Sequence, residues 1–94
     1  MQQYLIEREI PGAGALPEEE ELKKISMHSN GVLDAMRSEG NEIEWVHSYA
    51  AGDKIYCVYN AASEELIREH AKRGGFPANK ISPVGGILNP AKGV

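Results

Sequence analysis

Apolar and polar residues alternate from Tyr4 to Glu9. A period of two predicts a short first strand, with Tyr4 and Ile6 toward a core and Leu5, Glu7 and Glu9 on the other face. Ile10-Pro11-Gly12-Ala13-Gly14 follows as a turn-rich connector. The period then lengthens. Leu22, Ile25, Ser29, Val32, Leu33 and Met36 recur at spacings of three or four, which predicts an amphipathic helix from Glu18 to Ser38. Pro17 suits its start, the carboxylates of Glu18–Glu21 suit the positive end of its dipole, and Gly40-Asn41 suits its stop.

Ile43 to Tyr49 and Lys54 to Tyr59 are rich in β-branched and aromatic residues. They read as two strands joined by the turn Ala50-Ala51-Gly52-Asp53. Ser63 then caps a second helix that carries Leu66, Ile67, His70 and Ala71 on one side and ends at Gly74-Gly75. Ile81 to Leu88 reads as a last strand, and Pro83 with Gly85-Gly86 marks it as an edge. Asn89 to Val94 is a short tail. The order is βαββαβ, the plan of a ferredoxin-like α+β sandwich: one domain, residues 1–94, with a four-stranded antiparallel sheet and two helices on one face.

That plan leaves the second sheet face without helices. A four-residue hairpin turn sets Tyr49 opposite Lys54, His47 opposite Tyr56 and Trp45 opposite Val58. The open face then collects Trp45, His47, Tyr49, Tyr56 and Val58, while Val46, Ser48, Ile55, Cys57 and Tyr59 go beneath the helices. Clustered exposed aromatics mark an interface, and a homodimer through this face is expected.

Composition narrows the classes. The chain has 94 residues and a net charge of −4, which argues against nucleic-acid binding. No apolar run is long enough to span a membrane, and no basic-then-apolar leader opens the chain. One cysteine, Cys57, leaves no internal disulfide and fits a cytoplasmic location. A domain this small buries a limited core, for which oligomerisation is a common remedy.

Four stretches carry a family likeness: Tyr4 to Gly14, Trp45-Val46-His47-Ser48-Tyr49, Asp53 to Tyr59, and Ile67 to Asn79. The chain resembles a family of small ferredoxin-like proteins, mostly described as a domain of unknown function, that includes a nickel-binding protein. The resemblance runs from Tyr4 to about Pro90. It implies a dimeric, nickel-binding protein and supplies no catalytic mechanism. His47 and His70 lie inside matching motifs and carry over as ligand candidates. The chain departs from the family at His28, where relatives often have a basic residue, and at Asn30, where they often have a cysteine.

Imidazole suits nickel, and carboxylates can complete an octahedral sphere. Glu7 or Glu9 could join His47 on the open face, with a second copy of each supplied across a dimer. The chain has no His-x-x-x-His or Cys-x-x-Cys cluster, so spacing alone does not define a metal site. The plainer reading of His70 is a hydrogen-bonded histidine that fixes the Gly74-Gly75-Phe76-Pro77 loop. Cys57 reads as core packing, and Lys72-Arg73 before the glycines as cations at a helix C-terminus or a cradle for an anion. An enzyme is the second functional reading: a small ligand held between sheet and helices, with His47, His70 and the tyrosines as acid–base groups, in the manner of a cofactor-free oxygenase or isomerase.

Overall fold

The computed structural model describes residues 1–15, 21–88 and 90; of residues 15, 21 and 22 it describes the backbone. The expected helix start at Pro17 and Glu18 to Glu20, the side chain of Leu22 and most of the expected tail lie outside that set. Strand β1 (Gln2–Glu9) leads through a short 3₁₀ turn (Ala13–Ala15) to helix α1 (Glu21–Ser38). Strands β2 (Ile43–Ala51) and β3 (Lys54–Ala61), helix α2 (Glu64–Gly74) and strand β4 (Lys80–Pro83) follow. The strands form one antiparallel sheet in the order β2-β3-β1-β4. This is the expected ferredoxin-like arrangement, with β4 on an edge.

The helix side of the sheet holds the core. Tyr4 and Ile6 from β1, Ile55, Cys57, Tyr59 and Ala61 from β3, and Leu33, Met36 and Ile67 from the helices pack into one cluster. Ile6, Leu33 and Met36 are wholly buried. Each such side chain contributes about 1.5–3 kcal/mol by leaving water. The helical spacing of Ile25, Ser29, Leu33 and Met36 turns one stripe of α1 inward. Gly75, in the left-handed region at φ 71°, stops α2 as expected. Ser63 sits at the N-cap position, yet its hydroxyl makes no capping bond.

Three local expectations are corrected. The hairpin turn is two residues, Gly52 and Asp53, because Gly52 accepts a positive φ of 59° and Ala51 pairs with Lys54. That slides the register by two, so Tyr49 faces Tyr56 and His47 faces Val58. A slip of two preserves sidedness, and all four stay on the open face. A β-bulge then breaks the ladder between Trp45 and His47. Val46 is the extra residue and is exposed rather than in the core, while Trp45 pairs with buried Tyr59 on the helix side. Finally, β4 stops at Pro83 instead of reaching Leu88, which is exposed.

The connector after β1 is fastened to the hairpin tip. Ile10 N–H donates to the Asp53 carbonyl at 2.9 Å, Gly14 N–H to the Gly52 carbonyl at 2.8 Å, and Gly12 N–H to Asp53 Oδ1 at 2.9 Å. The approach is close enough that a Cβ on Gly14 would run into the backbone of Gly52.

Candidate functional site

The open sheet face is banded. Gln3, Asn60 and Glu44 form a polar row at one end, joined by 3.3 Å side-chain hydrogen bonds from Gln3 to Asn60 and from Asn60 to Glu44. The next row is Leu5, Val58 and His47, and the third is Glu7, Tyr56 and Tyr49. Leu5, Val58 and Tyr56 are half-buried, whereas His47 and Tyr49 are exposed. The His47 and Tyr49 rings meet edge to face at 5.1 Å. Glu7 accepts from Lys54 Nζ at 3.4 Å. Glu9 closes the far end, where Asn79 Nδ2 donates to its carboxylate at 3.2 Å.

The four sequence-derived ligand candidates are therefore distributed as follows. His47, Glu7 and Glu9 share the open face. His47 and Glu7 stand two strands and one row apart, about 12 Å between backbones at ordinary sheet spacing. His70 is on the opposite side of the sheet, buried under α1. Imidazole and carboxylate are apt donors for nickel. Among the described residues, however, no three of His, Cys, Asp and Glu come together in one chain.

His70 anchors a second, internal arrangement. Its Nε2 is 3.1 Å from Ser29 Oγ, and Ser29 Oγ is 3.3 Å from the Tyr59 hydroxyl. Its ring stacks on Phe76 with centroids 5.5 Å apart, so it does fix the loop after α2. Burial, seconded by the positive charge of Arg8, pushes the His70 pKa down to about 4. The ring is neutral at pH 7. Burial also pushes the Tyr59 hydroxyl up, which keeps it protonated. His28, on the exposed side of α1, sets Nε2 2.9 Å from the Gly74 carbonyl and its ring 5.5 Å from Phe76.

Arg8 is the central residue that sequence reasoning missed. It is 3 % exposed. Nε donates to the Cys57 sulfur at 3.4 Å and Nη1 to the Pro77 carbonyl at 2.9 Å. The rings of Phe76 and Tyr59 flank the guanidinium at 5.4 and 5.9 Å. Nη2 is buried without a partner. The signal was available: alternation that turns Tyr4 and Ile6 inward turns Arg8 inward too. Arg8, Ser29, Trp45 and Tyr59 help to wall a cavity of about 170 Å³ between the first turns of α1 and the sheet. Arg73, by contrast, is held by Glu39 and Glu69 at 2.6–2.8 Å, so the cations after His70 are partly spent on ion pairs.

The model of the nickel responsive protein SCO4226-like family matches residues 4–84. The chain belongs to this SCO4226-like family. The structure of SCO4226 from Streptomyces coelicolor A3(2) superposes with a TM-score of 0.69 at 17 % identity, over 92 % of this chain and 99 % of that one. At that identity the likeness speaks for the SCO4226-like fold. No curated protein matches the sequence. In this SCO4226-like chain no helix among the described residues is long and apolar enough to cross a membrane.

Proposed function

We propose that this chain is a cytoplasmic homodimer that binds a transition metal, nickel first, for storage, buffering or sensing. The position of His47 carries the reading. In a chain of a nickel responsive family, it presents an exposed imidazole on a sheet face that neither helix covers. The centre of that face is apolar and aromatic and its ends are polar, the anatomy of a protein interface. A two-fold axis passing between His47 and Glu7 would set each His47 near the second copy of Glu7, with Glu9 further out on the same face. Neutral imidazole nitrogen and carboxylate oxygen would form the nickel sphere, and binding would release any protons those donors hold. His70 serves here as the packing residue that joins α1, α2 and the Phe76 loop.

The test is metal analysis of the untagged protein, followed by calorimetric nickel titration and sedimentation of the wild type, His47→Ala and Val58→Asp. The expected result is a nickel-binding dimer, loss of affinity in His47→Ala, and a monomer with weakened nickel binding in Val58→Asp. Undiminished nickel binding by either variant, or a wild type that stays monomeric at micromolar concentration, would overturn the reading.

A further inference from the structure

We infer that the cavity beside Arg8 is a binding site for a small monocarboxylate with a flat apolar body, the size of benzoate. Arg8 is a buried cation in the wall of this cavity. Taking a guanidinium out of water is costly unless it is paired and fully hydrogen-bonded. Arg8 is 3 % exposed, and among the described residues no carboxylate pairs with it. A thiol and a carbonyl occupy Nε and Nη1, and Nη2 has no partner. The flanking rings offer π faces to the cation, and the Tyr59 hydroxyl lies near enough to feel the guanidinium, but Nη2 itself makes no hydrogen bond.

The space beside it fits one kind of occupant. The cavity measures about 170 Å³; an apolar protein cavity of about 150 Å³ accepts benzene. Its walls are largely apolar, with Ile10, Ile25 and Ile55, and Trp45 adds a flat indole. Ser26, Ser29 and Ser48 join Arg8 and Tyr59 as polar side chains of the lining; Ser29 bonds to Tyr59 and Ser48 accepts from the Trp45 indole N–H. His70, which reaches this cluster through Ser29, is neutral, so Arg8 supplies the positive charge. One cation matches a monoanion. Nη2 is sealed from water as it stands; once the guanidinium turns toward the cavity, a carboxylate can accept from it and from a serine hydroxyl while its hydrocarbon body lies against the isoleucines and the indole. A phosphate dianion would match neither the single charge nor the apolar walls.

The experiment uses the full chain after removal of metal with a chelator, so that its result is independent of the nickel reading. Trp45 is the chain's one tryptophan and forms part of the cavity wall, so its emission reports occupancy. Benzoate, the uncharged near-isostere benzamide, and inorganic phosphate are titrated separately. Benzoate should change the Trp45 emission saturably. Benzamide should bind at least about tenfold more weakly, about 1.4 kcal/mol, and phosphate should have no effect. Arg8→Met should erase the preference for benzoate over benzamide. Ala50→Phe, which fills the cavity from β2 and leaves Arg8 in place, should abolish the benzoate response and serves if Arg8→Met does not fold. Equal binding of benzoate and benzamide, a preference that survives Arg8→Met, an undiminished response in Ala50→Phe, tighter binding of phosphate, or no saturable response to benzoate would each overturn the inference.

Discussion

His70 makes the stability of this fold depend on pH in a calculable way. Its pKa is about 4 in the folded chain against an ordinary value of 6.5. Between those values the unfolded chain binds a proton that the folded chain refuses. The neutral ring's contribution is therefore complete above the unfolded pKa, is lost as pH falls toward the folded pKa, and is gone below it. The full interval is worth about 3 kcal/mol at 1.36 kcal/mol per unit. Integrated only from about pH 7.5 to about pH 5, the loss is about 2 kcal/mol. The wild type alone does not isolate the effect, because acidification acts on the rest of the chain as well. His70→Gln does, because an amide can still reach Ser29 and does not titrate. Urea unfolding of both proteins at the two pH values measures it. The wild type should lose about 2 kcal/mol more than the variant on acidification, whatever their stabilities at the higher pH. Equal losses would mean that the ring accepts a proton in place, and the burial argument for a neutral His70 would fall with them.

Other substitutions test the packing directly. Leu33→Ala empties a wholly buried site and should cost about 2–5 kcal/mol, read from the urea midpoint. Gly14→Ala should cost about 1–3 kcal/mol, because the new methyl meets the Gly52 backbone, which the hairpin hydrogen bonds hold in place. Gly74→Ala would overlap the Phe76 ring, a side chain that can turn aside. Its cost should be nearer about 1 kcal/mol, and the measurable consequence is loss of the ring-current shift that Phe76 imposes on His70 in the proton NMR spectrum. A normal His70 shift in a fully stable Gly74→Ala would contradict the stacking.

The element order could be read from the chain because each element has a periodicity and punctuation of its own. Tyr4, Ile6 and the Ile25-Ser29-Leu33-Met36 stripe point inward as their spacing requires. Gly40 and Gly75 take positive φ where helices stop. What spacing could not show was a departure from spacing. The bulge at Val46 is one residue long and carries no Gly or Pro to announce it. It separated Trp45 from the aromatic face that alternation had given it. The hairpin turn is shorter than the sequence suggests because Ala50-Ala51 has no strong strand preference, whereas tertiary pairing with Ile55 and Lys54 makes both residues strand. Arg8 is legible by parity, but a charged residue at an inward position conflicts with the general rule on burial. Spacing along the chain does not show where the candidate ligands stand in the fold. Their separation, with His47 on one side of the sheet and His70 on the other, depends on topology.

The bulge has a consequence for how relatives of this chain should be compared. Strand β2 is two half-strands in opposite phase, joined at Val46. Ahead of the joint, an aromatic residue lines the cavity; behind it, an imidazole looks outward. A relative without the extra residue would keep one phase throughout. Aligned without a gap, its residue at the Trp45 position would match in letter while standing on the other side of the sheet. Odd-numbered positions ahead of Val46, Ile43 and Trp45, should therefore vary with the helix side, and odd-numbered positions behind it, His47 and Tyr49, with the open face, while the even-numbered ones do the reverse.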